Sequence, residues 1–142
     1  MYQEGGSFYV DSGQPYLCLG TGETYDNAQK SINSAAAAAG LGPVLLPLHS
    51  TSTSSCVTAK HLELFPDILI ELQGNVTLRI PPSKYLQQQR SHPECLWPFV
   101  TDSLAVLGMP VLETYYTVYD QASKRIGFAP VAGCDEAPSL IV

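Results

Sequence analysis

With 142 residues, 45% of them hydrophobic and 14% charged, the chain can bury one core and is about one domain long. A net charge of −6, with only seven Lys and Arg in all, excludes a phosphate-neutralising nucleic-acid surface and a basic membrane patch. The longest weakly polar stretch, 35–48, is interrupted by Gly40, Gly42, Pro43 and Pro47, which excludes a bilayer-spanning helix there. The opening Met1-Tyr2-Gln3-Glu4-Gly5-Gly6 has no charged segment leading into an apolar one, so if the protein is exported its signal lies elsewhere.

Phe8-Tyr9-Val10 is a short β-prone run that delivers Asp11 into a Ser12-Gly13 turn. Gly13, without a β-carbon, lets the chain reverse close to whatever approaches Asp11. A strand that ends in a fixed turn can hold a catalytic acid, and Asp-Ser-Gly is equally ordinary turn chemistry. Residues 14–22 read as a turn-rich connection containing Leu17-Cys18-Leu19. Gly20-Thr21-Gly22-Glu23-Thr24 lacks the spacing and the lysine of a phosphate loop. Thr24 is placed to cap a helix running to about Ala39, with an inward face at Tyr25, Ala28, Ile32, Ala35 and Ala39 and a stop at Gly40.

Residues 41–55 read as an irregular excursion closed by Cys56. Phe65-Pro66-Asp67 opens a strand over 68–72 that pairs across Gln73-Gly74-Asn75 with 76–80, and Pro81-Pro82 stops the hairpin. Residues 85–93 are expected to be exposed, and Cys95-Leu96-Trp97-Pro98-Phe99 to return to a buried path. A strand at 104–108, a turn at Met109-Pro110, a strand at 115–120, a turn at 121–124 and a strand at 125–129 follow. Tyr115, Tyr116 and Tyr119 are expected on the two faces of that strand, with a carbohydrate or peptide platform as the alternative. The pattern predicts a β-dominated domain with one main helix.

Cys18, Cys56, Cys95 and Cys134 are widely spaced with no C-x-x-C pair, which excludes zinc-ribbon and thioredoxin readings and suits an oxidising compartment. Asn75-Val76-Thr77 is an N-glycosylation sequon on an expected exposed turn. His49, His61 and His92 lack ligand spacing and are expected to be solvated, with no metal site. No G-x-S-x-G and no local Cys/His signature supports a serine or cysteine hydrolase.

Five blocks in order carry a resemblance: Asp11-Ser12-Gly13 after its strand, Phe65-Pro66-Asp67-Ile68, Ile80-Pro81-Pro82-Ser83-Lys84-Tyr85, Val106-Leu107-Gly108, and Tyr115-Tyr116-Thr117-Val118-Tyr119-Asp120 with Lys124-Arg125-Ile126-Gly127-Phe128-Ala129. Together they resemble the C-terminal lobe of a pepsin-like aspartic protease. Ala122-Ser123-Lys124-Arg125-Ile126-Gly127-Phe128-Ala129, the following Cys134 and Gln29-Lys30-Ser31-Ile32 are most similar to the β-secretase (memapsin) branch. The resemblance covers 8–134, leaving 1–7 as a poorly ordered leading segment and 135–142 as a tail. It implies a mainly β fold, the six-stranded type of lobe from a bilobal acid protease, with one main helix.

The same resemblance implies the roles. Asp11 matches the second of two catalytic aspartates, Ser12 the hydroxyl residue that locks the two active-site loops together, and Gly13 the turn glycine. Gln14 stands where the family has Thr or Ser bonded to the catalytic carboxylate, and Val106-Leu107-Gly108 matches the supporting loop through which the Asp11 loop threads. Two close carboxyls share one proton, one activating water while the other protonates the carbonyl oxygen, and no cofactor or metal is needed. No second Asp-Thr-Gly or Asp-Ser-Gly is present; Asp102-Ser103-Leu104 comes nearest, with leucine for glycine. The chain is therefore expected to be a fragment or truncated form, inactive alone, whose peptide or protein substrate requires a missing N-terminal lobe or a second copy.

A Cys56–Cys95 disulfide is implied, with Cys18 and Cys134 free or paired with each other. The resemblance places the protein in the secretory pathway or outside the cell, with a single-pass membrane anchor in a full-length β-secretase-like relative and no membrane segment in this chain. A non-catalytic β-domain that keeps the fold and binds peptide or protein is the alternative.

Overall fold

Frequent glycine and proline keep the extended segments short, so the architecture is assembled from small paired units and not from one large sheet. The computed structural model describes residues 7–44, 56–89 and 92–132. In chain order these form β1 (Tyr9–Val10), β2 (Leu17–Cys18), α1 (Glu23–Ala38), a 3-10 segment (Ala59–Leu64), β3 (Ile68–Leu72), β4 (Val76–Ile80), α2 (Pro82–Tyr85) and β5 (Leu86–Gln89). There follow β6 (His92–Pro98), β7 (Val100–Thr101), β8 (Val106–Leu107), α3 (Met109–Leu112), β9 (Tyr115–Asp120) and β10 (Arg125–Pro130). The fold is mostly β with few helices.

The central sheet has the order β1-β8-β2-β7, with β8 parallel to β1, antiparallel to β2, and β2 parallel to β7. Three antiparallel pairs surround it: β3-β4, β5-β6 and β9-β10. Among the described residues the largest sheet has four strands, and β9 and β10 pair only with each other. Leu17, Ile32, Leu78, Ile80, Tyr85 and Val111 are among the side chains that these units bury in a common core. β9 is tied to β4 through the Tyr115 hydroxyl, which accepts from the Arg79 N–H at 2.7 Å and donates to the Arg79 carbonyl at 3.3 Å.

The hairpin β3-β4 has the predicted strands, with Ile68 opposite Ile80 and Leu72 opposite Val76. Its turn uses left-handed backbone at Gly74 and Asn75, two residues that tolerate it. Helix α1 turns Ile32 and Ala36 inward and ends as expected at Gly40, whose φ of +71° allows its N–H to reach the Ala37 carbonyl while Leu41 reaches Ala36. It starts at Glu23 without the predicted Thr24 cap. Gly22 precedes it with no side-chain cap, and Glu23 and Asp26 supply the negative charge that a helix N-terminus favours.

Three other expectations require correction. Residues 85–93 are not a uniformly exposed stretch: Tyr85 and Leu86 are fully buried, and β5 pairs with β6. Pro82 begins the single turn of α2, which swings Tyr85 inward so that its hydroxyl donates to the Pro66 carbonyl at 2.6 Å. Met109-Pro110 opens the one-turn α3 and not a simple turn, since a proline in the first helical turn forfeits no hydrogen bond. Leu17-Cys18 is strand in the middle of the sheet, too short to be read from alternation. Within 41–55, residues 45–55 lie outside the described residues, as do most of 1–7, all of 135–142, His49 and Cys134.

Cys56 and Cys95 form the implied disulfide, beside a bridge in which the Leu96 N–H donates to the Val57 carbonyl at 2.7 Å. Closing a separation of 39 residues restricts the unfolded chain by about 4 kcal/mol on a loop-entropy account. Cys18 is a buried free thiol directed at the Tyr16 carbonyl.

Burial, with Asp67 acting in the same direction, pushes the Tyr85 phenol above its ordinary value of 10.0. The unfolded chain then loses this proton at lower pH than the folded one. Stability from this group is complete below pH 10 and erodes as pH rises beyond it. Urea unfolding between pH 7 and 11 should show that decline, and Tyr85→Phe should flatten it while costing about 1 kcal/mol at neutral pH through the unpaired Pro66 carbonyl.

Candidate active site

Strand β1 ends where Asp11 begins its turn, and the pairing with β8 decides where that turn sits. Tyr9 lies opposite Val106 and Val10 opposite Leu107. The Asp11 N–H continues the ladder to the Leu107 carbonyl at 3.3 Å. The chain then turns back: the Gly13 N–H donates to Asp11 Oδ1 at 2.8 Å and the Gln14 N–H to the Asp11 carbonyl at 3.3 Å. A β-carbon on residue 13 would stand 3.2 Å from Asp11 Oδ1, a tight fit that glycine avoids. The carboxylate is exposed, oriented by one backbone donor and open to solvent on its other side.

Gly108 fastens this loop from below. A β-carbon there would lie 2.2 Å from the Tyr16 carbonyl oxygen, 2.5 Å from that of Gln14 and 3.1 Å from Gln14 Cγ. The next residue, Met109, donates its N–H to the Gln14 carbonyl at 2.8 Å. Asp11, Ser12, Gly13 and Gln14 are thus brought into one unit with Val106, Leu107 and Gly108. The Gln14 amide does not reach the carboxylate in this arrangement; its Oε1 accepts from the Tyr16 N–H at 3.3 Å.

A cleft of about 420 Å³ opens above the turn. Val10, Asp11 and Ser12 form one side, and Tyr116, Thr117 and Tyr119 of β9 line it with Leu112 and Val131. Tyr116 and Tyr119 are more than half exposed, so their aromatic faces are free to contact a ligand. Sequence reading placed these tyrosines on a strand but did not bring them to Asp11. The signal was the density of aromatics in 115–119, and only the non-local placement of β9 along the same cleft as the turn makes it a wall.

Among the described lining residues Asp11 is the one carboxylate. Asp102 lies elsewhere, beside Tyr25, whose phenol is raised first by burial and then by Asp102 and Asp26. Asp120 is held below the usual carboxylate range by the Ser123 backbone N–H, with the Ser123 hydroxyl and Arg125 adding to it, and serves the β9-β10 turn. Asp67 pairs with Arg79. His61 is consumed locally: its Nδ1 accepts from the Thr58 N–H at 3.2 Å in a capping box. Among the described residues no group of three or more His, Cys, Asp or Glu is placed to hold a metal, and no helix is long and apolar enough to cross a membrane.

Comparison with known sequences matches residues 1–131 to the family described as eukaryotic aspartyl protease. The chain belongs to that family. Pepsin A-5 of Mus musculus is 37% identical over 78 residues, covering 50% of this chain and 20% of the mouse protein. Pepsin-2B of Gadus morhua is 32% identical over 85 residues, covering 55% and 24% respectively. A β-secretase of Strongylocentrotus purpuratus is 29% identical over 77 residues, covering 46% and 14%. The aligned stretch is therefore under a quarter of the length of each of these family members. Family membership supports an aspartic endopeptidase class.

The packing at Gly108 makes a sharp expectation. Gly108→Ala should lower stability by about 3 kcal/mol, because the β-carbon meets two backbone carbonyls that cannot both retreat. Gly127→Ala, whose β-carbon would meet Val118 at an ordinary 3.7 Å, should stay within about 0.5 kcal/mol of the parent in the same thermal unfolding experiment.

Proposed function

We propose that this chain is the C-terminal lobe of a pepsin-like aspartic endopeptidase and that Asp11 is one of its two catalytic carboxylates. The observation that carries this reading is the Asp11 turn, fastened to Gly108 and facing a tyrosine-lined cleft. Ser12 and Gly13 complete the turn, and Val106 and Leu107 support it through β8. A peptide lying along β9 would present its carbonyl above Asp11, where a water held between two carboxyls that share a proton can attack it. One carboxylate cannot act as acid and base in the same step. The partner acid therefore comes from an N-terminal lobe or a second copy, and the chain alone is a fragment of the working enzyme.

Within the family, assignment to the β-secretase branch rests on Gln29-Lys30-Ser31-Ile32 and on 122–129. A disulfide-bonded lobe fits the secretory pathway or the extracellular space, since such bonds persist in oxidising compartments. A second reading, a non-catalytic domain that binds peptide, is favoured by the single carboxylate in the cleft.

The two readings separate in a chimera that joins 7–132 of this chain to the N-terminal lobe of a pepsin-like relative. Hydrolysis of quenched fluorescent peptides at acidic pH is expected, with Asp11→Asn lowering kcat by at least about 10²-fold. Peptide binding without turnover would support the non-catalytic reading, and undiminished turnover in Asp11→Asn would remove Asp11 from the mechanism. Gln14→Thr should raise kcat in the same chimera, because it exchanges an amide engaged with Tyr16 for a hydroxyl next to the Asp11 turn.

A further inference from the structure

The sequon Asn75-Val76-Thr77 takes no part in the site, and the fold gives it a distinctive setting. The chain has three asparagines, Asn27, Asn33 and Asn75, and only the last is followed by Thr or Ser two residues on. Asn33 is accounted for structurally, since its Oδ1 accepts from the Val44 N–H at 2.9 Å. Asn75 stands at the end of the β3-β4 hairpin with φ +60°, exposed, and among the described residues its amide has no hydrogen-bond partner. Thr77 is exposed two residues along β4, opposite Glu71, while its neighbour Leu78 is buried in the core. Both side chains that define the acceptor signal therefore project from the folded domain, and a bulky substituent on Asn75 displaces no packing.

We propose that Asn75 is an N-linked glycosylation site, modified by a saccharyltransferase that uses a lipid-pyrophosphate-linked oligosaccharide. In that transfer Asn75 Nδ2 bonds to C1 of the reducing sugar as the C1–O bond to the pyrophosphate breaks. The lipid pyrophosphate leaves with the electron pair, and the amide gives one proton to a base on the transferase. The setting also gives the glycan a physical task. β3 and β4 pair only with each other among the described residues, and Leu69 on their outward face is 63% exposed. A hydrated chain at the tip keeps such an edge from pairing with another molecule. The proposal rests on the oxidising, secretory setting indicated by Cys56–Cys95 and not on any catalytic role for Asp11, so the two fail independently.

The test is expression of the full 142-residue chain behind a cleavable secretion leader in a eukaryotic cell, followed by peptide-N-glycosidase treatment in heavy-oxygen water. One discrete downward step in gel mobility is expected, leaving labelled aspartate at position 75. The step should vanish in Asn75→Gln and in Thr77→Ala and persist in Thr77→Ser. Because the readout is covalent, it does not depend on the stability of the variants. An unmodified Asn75 in the parent chain, or a step that survives both Asn75→Gln and Thr77→Ala, would overturn the proposal.

Discussion

Gly108 approaches the carbonyls of Gln14 and Tyr16 so closely that no side chain fits between them, and the rest of the site is arranged by that contact. Two loops distant in sequence are held together there by backbone alone, through Met109 N–H to the Gln14 carbonyl on one side and the β1-β8 ladder on the other. The Asp11 turn is clamped at both ends, at Leu107 before it and at Gly108 after it. A carboxylate carried on such a turn keeps its direction while remaining open to solvent, which a flexible loop could not provide. The proposed role of Asp11 needs that combination, since a catalytic acid must meet both water and substrate.

The surrounding units serve the clamp at one remove. α3 begins directly after Gly108, buries Val111 in the core and contributes Leu112 to the cleft. β9 is positioned over the Asp11 turn by Tyr115, whose hydroxyl both accepts from and donates to Arg79 and whose ring meets Phe128 edge-on at 6.4 Å. One face of β9 is thereby anchored while Tyr116 remains free to line the cleft. The disulfide and the buried Tyr85 hydroxyl secure the opposite region, where β5, β6 and the 3-10 segment would otherwise have little but short strands to hold them. None of the groups with displaced proton affinities lines the cleft: Asp120 serves the β9-β10 turn, and Tyr25 and Tyr85 sit on α1 and α2.

What could be read from residues alone follows a physical division. The β3-β4 hairpin, the end of α1 at Gly40 and the β9-β10 pair were legible because alternation and glycine chemistry act over a few neighbours. β2 was missed because two residues carry no period, and its strand character comes from β7 and β8, far along the chain. Tyr85 and Leu86 were misplaced because Ser83-Lys84 before them and Gln87-Gln88-Gln89 after them concealed a one-turn helix that points Tyr85 inward. At the site, the Asp11 turn and the 106–108 loop were recognisable as motifs. Their contact through Gly108, and the tyrosine wall opposite, arise from long-range packing that no local pattern records.

The account stands on Asp11 being one half of a two-carboxylate centre, and the purified chain offers the most direct test. Hydrolysis of a quenched fluorescent peptide would be measured at acidic pH over a wide range of chain concentration, beside Asp11→Asn. The account predicts either no turnover or turnover that rises more steeply than linearly with concentration and vanishes in the variant, because a second acid must be brought in. Turnover that is proportional to concentration while the chain sediments as a monomer would contradict it, since a single copy would then be doing with one cleft carboxylate what the chemistry assigns to two.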